Sequence, residues 1–132
     1  MKLTVRGHYS VKALLDLSLR PRYGPASVND IAARQSLPAP YLEKLLIELR
    51  RAGLVRSVRG SQGGYQLARR PAQISVGDIL EAIGEWGASS TRSPMGENAT
   101  AEDWVAIAVW KRLDQHLKAA LYKVTLEDLY YD

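Results

Sequence analysis

Apolar residues recur along this chain with two periods, and the element changes where the period changes. Tyr9, Val11, Ala13, Leu14, Leu15, Leu17 and Leu19 leave almost no polar side. That is the pattern of a helix covered on two faces, and it predicts one over residues 1–19. Pro21 and Gly24-Pro25 end it. Val28, Ile31, Ala32 and Gln35 then follow at helical spacing, behind a capping-box-like Ser27 and Asp30. The run Ser36-Leu37-Pro38-Ala39-Pro40 stops this second helix, because a residue preceding proline is pushed out of the α region. Pro40 suits the first turn of a third helix, where its missing N–H costs nothing. Leu42, Leu45, Leu46, Leu49 and Ala52 make one apolar stripe on that helix, which Gly53 is placed to terminate. Pro40, Glu43, Lys44, Ile47 and Arg51 occupy the opposite side.

Past Gly53 the period changes. Leu54–Arg59 and Tyr65–Ala68 are β-prone runs joined by Gly60-Ser61-Gln62-Gly63-Gly64, which predicts a hairpin. Ser75 and Asp78 open another capped helix carrying Ile79, Leu80, Ala82 and Ile83. Residues 85–100 have no helical or strand period and read as a mobile loop. Thr100 with Asp103 caps the longest helical pattern. Within it Ala106, Trp110, Leu113, Leu117, Ala120 and Val124 are spaced 4, 3, 4, 3, 4, a heptad-like seam suited to a partner helix, widened by Trp104, Ile107 and Leu121. Thr125 and Asp128 start a short last helix. The order helix, turn, helix, hairpin is that of a winged helix-turn-helix, with a basic hairpin tip able to follow a phosphate backbone or enter a minor groove.

Charge sharpens this reading. Residues 1–80 carry 13 Lys/Arg against 5 Asp/Glu, whereas residues 81–132 carry 5 against 9. A basic first part is expected to meet a polyanion. A membrane surface fits poorly, because the basic residues do not line an amphipathic helix with exposed apolar anchors. The 132 residues suggest one domain of ordinary globular composition, 46% hydrophobic and 24% charged. No apolar run approaches the ~18 residues of a membrane helix, and Arg6 and His8 break any signal-peptide layout, so a cytoplasmic protein is expected. The chain has no cysteine, which excludes a disulfide framework and thiolate chemistry. No catalytic constellation is visible. Acidic pairs such as Glu102-Asp103 and Glu127-Asp128 fall in helix first turns, where the macrodipole favours them. The Gly60–Gly64 run lacks the Lys-Ser/Thr of a phosphate-binding loop. The chain is not expected to be an enzyme.

The strings LTVRGHYSVKALLDL, YLEKLLIELRRAGLVRSVRG, GGYQLA, ISVGDILEAI and VTLEDL together resemble the Rrf2 (Rrf-two) family of bacterial winged-helix regulators. The run from Tyr41 through Tyr65 is the most specific part. The resemblance implies that the N-terminal segment, with Lys2 and Arg6, helps hold the DNA backbone. It also implies that a sensor often sits in the 85–100 loop. Cluster-binding members use three cysteines in the region from Glu85 to Trp104 and in some cases a ligand near His8. Here Trp104 and Ile107 fall about where a cysteine and a histidine ligand would stand, and Ser89, Ser90 and Ser93 about where earlier cysteines would. Ser36 replaces the glycine usual in the bend; if the bend needs positive φ, serine carries strain that glycine would not.

The expectation is a mainly α protein with a small β-hairpin wing: a DNA-binding unit over 1–84, a loop over 85–100, and a dimerisation helix with a short terminal helix over 101–132. Its function is expected to be that of a homodimeric, sequence-specific transcription regulator on double-stranded DNA with a palindromic operator. No cofactor and no metal are expected, and the signal would come from a protein or small-molecule effector. The DNA contacts are expected at Lys2, Arg6, Ser27, Pro40, Tyr41, Glu43, Lys44, Arg51, Arg56, Arg59, Ser61, Gln62 and Gly63. Dimer contacts are expected at Ala106, Trp110, Leu113, Leu117, Ala120 and Val124. Two other readings stand beside it. One is a winged-helix adaptor for a partner protein, with a stable protein complex and little salt-sensitive DNA affinity. The other is a small-molecule sensor built on Trp86, Trp104 and Trp110.

Overall fold

Five short polar side chains set where helices begin. The computed structural model describes residues 4–20, 24–61, 63–85 and 97–130. Ser75, Thr100 and Thr125 each form a reciprocal capping box with an aspartate three residues on, opening α4 (Val76–Ala82), α5 (Ala101–Lys123) and α6 (Leu126–Leu129). Ser27 accepts from the Asp30 N–H to open α2 (Val28–Gln35), without the reciprocal bond. The first helix, α1 (Val5–Ser18), begins behind Thr4, and Leu19, expected inside it, is its exposed C-cap. The recognition-type helix α3 spans Ala39–Arg51, and Ala52 is its exposed cap rather than part of its buried stripe. Gly53 follows at φ +79°, the left-handed closure its sequence position predicts.

The core is one cluster. Ala13, Leu14 and Leu17 of α1 meet Ile31 and Ala32 of α2, Leu42, Leu45, Leu46 and Leu49 of α3, and Ile79 and Leu80 of α4. Strand β1 (Val55–Val58) pairs antiparallel with β2 (Gly64–Leu67), Val55 opposite Leu67 and Val58 opposite Gly64. Ala26 adds a one-residue third strand: its N–H donates to the Tyr65 carbonyl at 2.9 Å, and the Tyr65 N–H donates back at 2.7 Å. The hairpin is thereby tied to the segment that enters α2.

The α1–α2 pair is held by a polar contact that periodicity does not show. The Asp16 side chain is 2% exposed and receives Arg34 Nε at 2.9 Å, Arg34 Nη2 at 2.6 Å and Gln35 Nε2 at 3.0 Å. Burial pushes the Asp16 carboxyl upward, but the Arg34 and Gln35 hydrogen bonds and the Arg34 and Arg20 charges outweigh it and hold the carboxyl below its ordinary value. Lys12 donates to the Gln35 carbonyl at 2.6 Å, at the negative end of α2.

The long helix α5 has no buried residue. Its last turns rest on α4: the Tyr122 ring lies 2.7 Å from where a Cβ on Gly77 would be, and Tyr122 Oη donates to Glu81 Oε2 at 2.6 Å. Burial first, then the Glu81 hydrogen bond and the Glu81 and Asp78 charges, push the Tyr122 hydroxyl up to about 12. Val124, expected in the helical seam, lies outside the helix. It is extended because Thr125 must be extended to cap α6, and its carbonyl accepts from the Val76 N–H at 2.8 Å. Leu121 packs on the core cluster.

Removing Asp16 leaves Arg34 without its carboxylate, so Asp16→Ala is expected to cost about 3 kcal/mol in urea unfolding. Because the folded-state pKa of Asp16 is depressed, its contribution is complete above the unfolded value near 3.9 and is lost as pH falls through the lower folded value. The acid-unfolding difference between wild type and Asp16→Ala should therefore shrink below pH ~4.

Candidate nucleic-acid interface

Ser36 sits at φ +56°, ψ +50°, as the left-handed cap of α2. The Leu37 N–H then donates to the Ala32 carbonyl at 2.9 Å, and Pro38 begins the next helix with Pro40 in its first turn. This tight bend turns α3 across α2, and the buried leucines fix its rotation. With Leu42, Leu45, Leu46 and Leu49 inside, Pro40, Glu43 and Lys44 are exposed. Neither Glu43 nor Lys44 has a hydrogen bond or ion pair among the described residues. Tyr41 is half-buried, its ring edge-on to Tyr9 of α1 at 5.7 Å and 83°.

The wing tip turns on glycines that approach other backbone. A Cβ on Gly63 would overlap the Val58 carbonyl, and one on Gly64 would overlap the Ala26 backbone. The Gly63 N–H donates to the Gly60 carbonyl at 3.0 Å, and Ser61 is exposed between them. Arg59 is exposed and has no partner among the described residues. Arg56 is anchored: with the Gln66 amide oxygen facing it, that oxygen accepts from Nε at 2.6 Å and Nη2 at 2.8 Å.

Other expected contacts are placed differently. Arg6 Nη2 is bonded to Glu48 Oε2 of α3 at 2.7 Å, so it ties α1 to α3. The family resemblance implied Arg6 as a DNA contact; its acidic partner is 42 residues away and has no local signature. The Ser27 hydroxyl is engaged in its cap. Arg51 lines a groove of about 800 Å³ with Arg6, Arg69, Glu48, Asp78 and Glu81, at the far end of α3 from Pro40. Lys2 and Gln62 lie outside the described residues, as do Trp86, Ser89, Ser90 and Ser93 in the expected loop. On α5, Trp110 is 68% exposed and Leu113 53% exposed, while Ala106 and Ala120 are exposed and Leu117 is half-buried.

A family profile described as "Rrf2: Iron-dependent Transcriptional regulator" matches residues 3–132. The chain belongs to the Rrf2 family. The Synechocystis sp. protein slr0846, provisionally named an HTH-type transcriptional regulator, is 59% identical over 100% of this chain and 89% of its own length. The HTH-type transcriptional regulator IscR of Cronobacter sakazakii is 37% identical over 98% of this chain and 80% of that one. Among solved structures, T. potens IscR aligns with a TM-score of 0.79 at 39% identity, covering 100% of this chain and 88% of that one. CymR, the global cysteine regulator of B. subtilis, aligns at 0.78 and 33% identity, covering 100% and 98%. This Rrf2 protein is thus a transcriptional regulator of the DNA-binding, helix-turn-helix kind, with the mainly α, winged-helix architecture of those neighbours.

The iron in the family's description meets a poor donor set here. Iron–sulfur clusters are held mainly by cysteine thiolates, and this sequence has none. Both histidines, His8 and His116, are exposed and lie on different helices. Among the described residues no group of three or more His, Asp or Glu side chains could hold a metal ion. The residues present do not fit a thiolate-held cluster. No described helix is long and apolar enough to cross a membrane.

The left-handed serine gives a direct test of the bend. A non-glycine residue in that region costs ~1–2 kcal/mol, partly offset in glycine by its greater unfolded-state entropy. Ser36→Gly is therefore expected to raise stability by roughly 0.5–1 kcal/mol in chemical denaturation, with DNA affinity unchanged or slightly higher.

Proposed function

We propose that this Rrf2 protein acts in the cytoplasm as a homodimeric, sequence-specific regulator of transcription that reads a palindromic duplex operator without an iron–sulfur cluster. The observation that carries the reading is the unengaged Glu43–Lys44 face of α3, held outward by four buried leucines beside a glycine-tipped wing bearing Arg59. On this reading α3 enters a major groove. Glu43 accepts from a cytosine amino group, and Lys44 meets guanine or a phosphate. Pro40, Tyr41 and Ser27, together with Lys2 and Arg6, are assigned to the phosphate backbone on this reading. Arg59, with Arg56, Ser61, Gln62 and Gly63, follows the minor groove or its phosphates.

The bare face of α5 supports the dimer. Val105, Val109, Trp110 and Leu113 are each more than half exposed along a 23-residue helix, an apolar surface that a lone soluble chain rarely presents. A second copy offers the same stripe, so a two-fold pairing covers both at once, and a two-fold reader implies a palindromic site. The seam on this reading is Ala106, Trp110, Leu113, Leu117 and Ala120. Lacking thiolates, the protein takes its signal from a partner protein or a small molecule.

Glu43→Ala is expected to relax preference at one base pair per half-site by ~1–3 kcal/mol, whereas Arg59→Ala lowers affinity most at operators with a narrow A·T-rich minor groove. Competition binding against single-base operator variants separates the two; an unchanged preference in Glu43→Ala would remove Glu43 from the reading face. Leu113→Glu places an unpaired charge in the seam, so it is expected to give folded monomer or loss of folding by sedimentation. A folded Leu113→Glu dimer at low concentration would move the interface elsewhere.

A further inference from the structure

The long helix α5 is held at its C-terminal end. From Ala101 to His116 every side chain except Ile107 is exposed, and half-buried positions resume at Leu117, Lys118 and Leu121. Just past the helix the backbone is pinned twice. The Val76 N–H donates to the Val124 carbonyl at 2.8 Å, and the Leu126 N–H donates to the Ile74 carbonyl at 2.9 Å. Val124 is extended, so these bonds fix where α5 ends without fixing the direction in which it runs. Direction needs contacts on the helix itself. Leu121 packs on the core cluster, and Tyr122 beside it is held at both ends of its side chain. Its ring atoms Cγ and Cδ1 lie 2.7 Å from where a Cβ on Gly77 would be, and its hydroxyl donates to Glu81 Oε2 at 2.6 Å. Gly77 and Glu81 are one turn apart on the same face of α4. A glycine inside a helix is less favourable than alanine; here the missing side chain is what admits the ring.

On the dimer reading, this joint stands between the two-fold axis and the reading head. On the head side, α4 shares its core with the buried leucines of α3. On the other side, Trp110 of the seam precedes Tyr122 by twelve residues, about 18 Å at the ~1.5 Å rise of a helix. A change of ~10° in the angle at Gly77 therefore moves the seam by roughly 3 Å relative to α3. B-DNA rises ~3.4 Å per base pair, so a small tilt matches about one base pair of half-site separation. We propose that Tyr122, seated on Gly77 and bonded to Glu81, is a positioning residue that sets the spacing of the two half-sites. The inference rests on the dimeric DNA-binding reading above and adds what fixes the length of the operator. Tyr122 and Gly77 themselves belong neither to the reading face nor to the seam.

The test uses the full chain and a set of duplexes. The half-sites recovered by selection are kept, and the spacer between them is changed by one or two base pairs in either direction. Fluorescence anisotropy reads affinity, and sedimentation reads the assembly of each variant. Wild type should bind one spacing at least ~10-fold more tightly than its neighbours, a difference of ~1.4 kcal/mol. Gly77→Ala, in which the added Cβ displaces the ring, should remain dimeric and move the optimum to a neighbouring spacing or flatten the preference below ~3-fold. Tyr122→Leu, which removes ring and hydroxyl, should flatten it in the same way. Tyr122→Phe keeps the ring on Gly77 and loses only the bond to Glu81. It should fold like wild type, hold the same optimum and discriminate roughly threefold. If Gly77→Ala and Tyr122→Leu do not fold, Tyr122→Phe decides alone. A wild-type dimer indifferent to spacing, or a Tyr122→Phe profile identical to wild type, would overturn the joint and leave the operator reading standing. So would an equal loss of affinity at every spacing in folded Gly77→Ala and Tyr122→Leu. A wild-type chain that is monomeric or selects no inverted repeat would sink that reading and the joint with it.

Discussion

The rotation of α3 about its own axis is the constraint on which the rest depends. Leu42, Leu45, Leu46 and Leu49 are all essentially buried, and exposing them would forfeit ~2 kcal/mol or more for each. That burial leaves no choice about which side faces outward, and the outward side holds Glu43 and Lys44, which have no partners among the described residues. Everything around α3 serves to hold this face in one orientation. Asp16, Arg34 and Gln35 fix α2 against α1, Arg6 and Glu48 tie α1 to α3, and the Ser36 bend sets the turn between α2 and α3. On the proposed function, a reading helix held from three sides needs little reorganisation on meeting a groove.

The wing is fixed to the same frame by backbone. Two hydrogen bonds join Ala26 to Tyr65, and Gly64 lets the strands approach that closely. The wing tip and the start of α2 therefore move together. α5 is coupled differently: Tyr122 on Gly77, its hydroxyl on Glu81, and the Val76–Val124 and Leu126–Ile74 backbone bonds form one joint at the end of a helix otherwise bare. On the proposed function, a helix anchored at one end and carrying exposed Val105, Val109, Trp110 and Leu113 is the surface that meets the second subunit.

What the sequence disclosed follows from the range of each interaction. Caps, the Pro-bounded bend, the leucine stripe and the glycine tip are local signals, and the helices and hairpin they predict are present. The left-handed Ser36 was legible as a condition on the bend and is observed. Contacts between distant residues were not legible. Asp16 and Arg34 lie 18 residues apart with no motif to join them, and Arg6 looked like a free cation because Glu48 is remote. The heptad spacing ran on to Val124 because periodicity cannot see that the next residue must be extended to cap α6. Of the candidate site, exposure of Glu43 and Lys44 was readable from the stripe opposite them.

The central claim is that one face of α3, presented twice by a symmetric pair, reads DNA sequence. Selection of bound duplexes from a random pool by the full chain, followed by sequencing, tests it most directly. The expected result is an inverted repeat whose half-sites are separated by about one helical turn or a multiple of it. A pool that never narrows under low-salt and moderate-salt selection alike, with retention that is purely charge-driven, would contradict it.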